Sequence, residues 1–269
     1  MGYFVGMLIF LSPIWVNTIG IFYDIINYFF RNDINRYLLI RPLRDKHKKI
    51  IESAFTYYQI LSEQNKKLFE KRVRKFIDMK KFFYRGDGGM VTLEMEALIA
   101  ASAIQLTFGL PGVYFIHFRK IIIYPDDYYS AIYRRYHKGE VNQGLGIIIL
   151  SWKNFLEGYT NASDGINLGI HEMSHALHLE NKILNREYNF LNASVLEQWE
   201  KAADKELSKI QEGKSDFFRR YGGLNEFEFF AVAVENFFER PVVFYRYNRE
   251  MYGLLSKLLN QDPAKKMTL

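Results

Sequence analysis

The sequence predicts an α+β protein with a helical front half, a small mixed sheet, and later helices that converge on a metal site. Three observations carry this. Helical patterning resumes at about Asp45 and recurs in residues 63–83, 93–108 and from Asn225 onward. Short strand-like runs cluster between Tyr114 and Trp152. Finally, His171-Glu172-Met173-Ser174-His175 stands in residues that favour a helix. At 3.6 residues per turn its two histidines share a face, so both imidazoles can reach one ion while Glu172 points to a neighbouring direction. Two neutral nitrogen ligands beside a carboxylate base are the chemistry of a zinc hydrolase.

Composition narrows the possibilities. With 269 residues and 49% hydrophobic content the chain can bury a substantial core. It contains no cysteine, so a metal site must use His and carboxylate, and no disulfide framework exists. The net charge of +6 is uneven: Arg31 to Arg85 holds sixteen Lys/Arg against six Asp/Glu, and the rest of the chain sums to −4. The basic bias lies away from the histidine motif, so nucleic acid is not an expected partner.

Residues 1–23 carry no charged side chain, and Asp24 is the first. The run is long enough to cross a hydrocarbon core as a helix. Aromatics follow at Phe22, Tyr23, Tyr28, Phe29 and Phe30, then Arg31, Arg36, Arg41, Arg44, Lys46, Lys48 and Lys49. By the positive-inside rule this reads as a single-pass inner membrane protein with its C-terminal part in the cytoplasm. The alternative is a hydrophobic helix packed on a soluble cytoplasmic domain. The expected division is a transmembrane anchor at 1–30, a basic juxtamembrane linker and helix at 31–60, and the metal-bearing domain at 61–269.

Further along, Leu68, Phe69, Val73, Phe76, Ile77 and Phe83 recur at helical spacing among lysines and arginines, a basic amphipathic helix over 63–83. Gly86-Asp87-Gly88-Gly89 is a loop. The small-residue-rich helix 93–108 stops at Gly109-Leu110-Pro111-Gly112. Strands are expected at Tyr114–Phe118, Lys120–Tyr124 and Gly146–Trp152. The last of these reads as an edge strand, where a substrate backbone could add to the sheet, or as a buried sheet strand. The motif helix is expected from about Gly165 to Leu179, and a polar helix over 195–212.

A catalytic zinc needs three protein ligands and an open position. His178, one turn past His175, is one candidate for the third ligand. A ligand six residues past His175 would fall on Asn181, which excludes that arrangement. The buried-looking helix from Asn225 offers two others, Glu228 and Glu235, two turns apart among Phe, Ala and Val. Carboxylates on such a face are expensive to bury unless paired or metal-bound. The residues by themselves leave both open.

Tyr221 to Glu228, followed by Phe229-Phe230-Ala231, resembles the downstream motif of the Mlc titration factor A (MtfA) peptidases and of the anthrax lethal factor catalytic domain. In both, a tyrosine stands seven residues before the glutamate that completes the zinc site. The likeness to the MtfA family extends through Leu61–Phe83, Ile122-Ile123-Tyr124-Pro125, the Gly146–Trp152 strand, Asn167-Leu168, Glu228–Pro241 and Gln261-Asp262-Pro263, about four-fifths of the chain. It implies a zincin-like metallopeptidase core holding one Zn2+ on His171, His175 and Glu228, with Glu172 as base and Tyr221 near the substrate oxyanion. Glu235 would then orient a ligand histidine or pack as a structural acid, with Asp164 a weaker candidate for the orienting part. The implied substrates are peptides or proteins, and the resemblance extends to cleavage of the aminopeptidase type. The resemblance also implies an alternative: a membrane-tethered regulatory protein that sequesters a transcriptional regulator and uses zinc structurally.

Overall fold

The computed structural model describes residues 41–130, 134–161 and 163–267. The anchor expected at residues 1–23 lies outside them; among the described residues no helix is long and apolar enough to cross a membrane.

Helices α1 (Asp45–Ala54) and α2 (Thr56–Gln59) lead into α3 (Glu63–Met79). Ile51, Phe55 and Tyr58 are buried, so this front region is part of the same core as the rest. Along α3, Phe69, Val73 and Phe76 are buried at the spacing of one helical face. The helix ends at Met79, short of Phe83. Lys80 is extended, its ammonium drawn inward onto the carbonyls of Tyr114 and Phe115, and Lys81–Tyr84 becomes strand β1. The helical spacing seen through Phe83 is coincidental there, because β1 alternates instead, with Phe83 exposed.

Helix α4 (Leu93–Thr107) is almost wholly buried. Its alanines at 97, 100, 101 and 103 let α1, α3 and the later motif helix approach closely. Beyond it, β2 (Lys120–Tyr124), β3 (Tyr128–Ser130), β4 (Arg135–His137), β5 (Gly139–Asn142) and β6 (Ile147–Ser151) form two sheets. The larger has the order β1-β2-β6-β5, with β1, β2 and β6 parallel and β5 antiparallel to β6. Strands β3 and β4 pair as a separate hairpin. Ile121, Ile123, Ile148 and Leu150 are fully buried on the helix-covered face.

Of the strand expectations, one falls to its buried reading and one fails. The 146–152 run is an interior strand, and the edge belongs to β5, whose Gly-Glu-Val-Asn is too short and polar to announce itself. Tyr114–Phe118 forms no strand although Tyr114, Phe115 and Phe118 are buried. Phe115 takes a left-handed φ of 55°, which breaks extended geometry. Side chains replace the missing ladder: Glu187 accepts from the amides of Tyr114 and Ile116, Glu180 accepts from His117 N, and Lys80 donates to two carbonyls. Those partners lie far away in sequence, where local patterning cannot register them.

The second half is helical: α5 (Trp152–Thr160), α6 (Leu168–Lys182), α7 (Ala193–Gln211), a 3-10 turn at Arg220–Gly223, α8 (Glu226–Glu239), α9 (Pro241–Tyr247), α10 (Arg249–Leu259) and α11 (Pro263–Met267). Helix α8 packs along α6, and α6 lies against β5 and β6. That stacking sets the site between two helices and under a sheet edge.

Candidate active site

Helix α6 begins where Asn167 caps it, its Oδ1 accepting from Ile170 N at 3.0 Å. The Asn167 carbonyl accepts from His171 N at 2.8 Å, so the cap fixes the turn on which the first histidine stands. His171, Glu172 and His175 are all buried. Helix α8 starts the same way: Asn225 Oδ1 accepts from the backbone amide of Glu228 at 2.9 Å. Glu228 therefore sits in the first turn, where the helix dipole favours a negative charge.

These two helix starts bring three ligand atoms together. His171 Nε2 and His175 Nε2 are 3.1 Å apart, and Glu228 Oε2 lies 3.1 Å from the first and 3.4 Å from the second. Tetrahedral bonds of zinc length would hold ligand atoms about 3.3 Å apart, so the three separations fit one four-coordinate ion. The donor set fits too. Glu235 accepts from His171 Nδ1, which keeps the proton there and turns the Nε2 lone pair toward the centre. The ring of His175 lies flat on Phe227, with centroids 5.0 Å apart and 9° between planes. Burial lowers the pKa of His171, but Glu235 and Glu228 outweigh it and push it up to about 10. Burial also works against ionisation of Glu228, yet hydrogen bonds from both histidines hold its carboxyl well below the usual carboxylate range. The pocket is built to hold positive charge.

Glu235 is the more deeply buried acid, and it does not reach the ligand centre. Arg219 meets it as a two-pronged fork, Nη1 to Oε2 at 2.8 Å and Nη2 to Oε1 at 2.9 Å, and also donates to Gly165 O at 3.2 Å. Asn167 N donates to Glu235 Oε2 at 3.3 Å. The chain Arg219–Glu235–His171 thus orients the first ligand, in the part expected of Glu235. Asp164 takes no share in it: its carboxylate accepts from Ile166 N and Asn161 in an exposed loop. His178 lies outside the ligand group. Its ring packs edge-on against Phe227 and Phe230, and burial, then Lys182, pull its pKa down to about 4.

Glu172 faces the sheet edge. A Cβ on Gly139 of β5 would lie 2.4 Å from Glu172 Oε1, so this strand position accommodates the carboxylate only as glycine. Burial raises the pKa of Glu172, with the two histidines opposing. Tyr221, in the 3-10 turn, is half-exposed at the rim, its ring centroid 5.8 Å from that of His171. Burial, then the carboxylates of Glu228 and Glu172, push its hydroxyl up to about 12. Sequence reasoning missed Arg219, Gly139 and Phe227. Of these only Arg219 left a signal, since a fully buried acid on α8 demands a cation and Arg219 stands next to Tyr221's turn.

Two helix-borne histidines, a carboxylate from a second helix and a buried glutamate beside them define a metal-dependent hydrolase. Residues 30–259 match the glucose-regulated metallo-peptidase M90 family, and the chain belongs to it. It is also similar to an uncharacterized protein of Synechocystis sp., at 25% identity over 241 residues, covering 84% of this chain and 87% of the relative. The protein is a metallopeptidase with His171, His175 and Glu228 positioned as its metal ligands, in accord with the family resemblance.

Proposed function

We propose that the protein is a zinc-dependent peptidase with a zincin-like core, in which Glu172 is the general base and Tyr221 assists at the scissile carbonyl. The observation that carries this is the convergence of His171, His175 and Glu228 beside a buried Glu172. A catalytic zinc, when bound, acidifies a water molecule and polarises a carbonyl. Glu172, buried in the cleft under Gly139, accepts the proton of the attacking water and returns it to the departing amine. Burial has already raised its affinity for that proton. Tyr221 keeps its proton at neutral pH and donates a hydrogen bond to the carbonyl oxygen as that oxygen gains charge. The edge of β5, which begins at Gly139 and pairs on one side alone among the described residues, supports a peptide lying as an added strand across the cleft. The membrane anchor at residues 1–23, with the catalytic part in the cytoplasm, belongs to the same proposal and is supported by the uncharged run and the basic residues after it.

The test is zinc content and peptide hydrolysis on the detergent-solubilised full chain, with Glu172→Gln and Glu228→Ala. The expected result is one zinc per chain, kept in an inactive Glu172→Gln and lost in Glu228→Ala. Hydrolysis surviving in Glu172→Gln would remove the base assignment. Zinc retained in every form, with no peptide cleaved, would favour a binding protein that sequesters a regulator. Tyr221→Phe should lower kcat by about 100-fold with little change in KM. Comparing free with N-acetylated peptides tests aminopeptidase-type cleavage, the finer reading: an aminopeptidase would spare the acetylated ones.

A further inference from the structure

Behind the N-terminal end of α6, away from the ligand atoms, lies a partly open cleft of about 80 Å³. It forms where α2, α4, α5, the start of α6, the end of α8 and the segment before α11 meet. Its walls combine aromatic rings with acids. Phe55 and Tyr159 stand 5.2 Å apart by ring centroid, and Tyr57 and Phe238 stand 6.2 Å apart, edge to face. Glu239 and Asp262 supply the charge, and no lysine, arginine or histidine lines the space.

The polar atoms facing this cleft are under-used. Gln105 is 8% exposed, and its Oε1 has no hydrogen-bond partner among the described residues. Glu239 Oε2 and the Tyr159 hydroxyl also lack a partner of close geometry, with the Gly165 backbone near the carboxyl and Ser102 and Asn167 near the hydroxyl. Buried polar atoms without partners are costly, and native interiors rarely keep three of them around one space without something to meet them. All three can accept a hydrogen bond. A primary ammonium group brings three N–H donors and no acceptor, and a cation is attracted to the faces of aromatic rings. The other carboxylate oxygen of Glu239 is already engaged, accepting from Asn167 Nδ2 at 3.0 Å. We propose that this cleft is a binding site for a small organic primary amine, its ammonium held by Glu239, Gln105 and Tyr159 and its apolar body set between Phe55 and Phe238. The site is separate from the peptidase centre and does not depend on the reading of Glu172 or Tyr221. It adjoins that centre through Asn167, which bonds to Glu239 by its side chain and to Glu235 by its backbone amide.

The experiment is a ligand-observed NMR titration, with thermal unfolding in parallel, of the full metal-loaded chain against benzylamine, n-butylamine and uncharged benzyl alcohol. Two variants accompany it. Glu239→Gln keeps the acceptor for Asn167 and removes the charge. Thr56→Trp puts bulk at the exposed mouth of the cleft without entering the core. Saturable binding of both amines with a raised Tm, no saturable binding of the alcohol, and at least about tenfold weaker binding in each variant would support the proposal. Amine and alcohol binding alike, amine binding unchanged in either variant, or no amine binding up to tens of millimolar would overturn it; in the last case the cleft holds only water.

Discussion

Two fully or nearly buried acids, Glu235 and Glu187, show how the same device serves two ends. Glu235 is 0% exposed and binds mainly side chains, His171 on one edge and the Arg219 fork on the other, with one backbone amide, that of Asn167. Glu187 is 6% exposed and binds main chain, the amides of Tyr114 and Ile116. In the first case the charge is spent on aiming an imidazole at a centre that a metal can fill. In the second it holds a loop that has given up strand geometry. Buried charge by itself therefore says little about function. What separates a site from a scaffold is whether the partners leave lone pairs pointing at a common point.

That contrast can be broken by experiment. Glu235→Ala should have the largest effect, because it leaves the Arg219 guanidinium and His171 Nδ1 without their acceptor. The expected loss is about 3–5 kcal/mol in unfolding free energy and about 10–100-fold in zinc affinity, read by denaturant melts and competition with a chelator. Glu187→Ala should cost about 2–3 kcal/mol and leave zinc affinity unchanged. An equal loss of zinc affinity in both variants would show that the division drawn between them is wrong.

A smaller effect sharpens the picture at a third acid. Burial pushes Glu239 up to about 7, with Asn167 opposing and the negative charges of Glu235 and Asp164 adding to it; Asp262 lines the same cleft. A raised carboxyl pKa means the folded state holds a proton that the unfolded chain releases above its ordinary value of 4.5. Stability from this group is therefore present at low pH, falls as pH rises from about 4.5 to 7, and is flat above. Glu239→Gln should flatten that slope in Tm against pH while leaving the value near pH 4 almost unchanged. A slope identical to that of the parent would place the titrating group elsewhere.

How much of this could be read from residues follows from how local each feature is. The motif helix, its partner helix, and strands β2 and β6 are legible because their signals lie within one element. The end of α3, the 114–118 loop and β5 were not legible. Their conformations are set by Lys80, Glu180, Glu187 and β6, which lie elsewhere in the chain. Gly139 is the sharpest case. Nothing in Lys138-Gly139-Glu140 marks a glycine against which a carboxylate is seated, and only the crossing of β5 over α6 makes it one.

The sequence by itself determined the pair of metal-binding nitrogens, because four residues along an α-helix return a side chain to the same face wherever the helix is placed. It also limited the third ligand to a few candidates, and the family resemblance singled out Glu228. Only the tertiary structure decided how Glu228 and Glu235 divide their duties. They share one face of α8, two turns apart. Because α8 packs along α6, its capped first turn presents Glu228 to both Nε2 atoms, while Glu235 meets the opposite edge of the His171 ring. The spacing made the two acids alike, and the packing of the helices made them different.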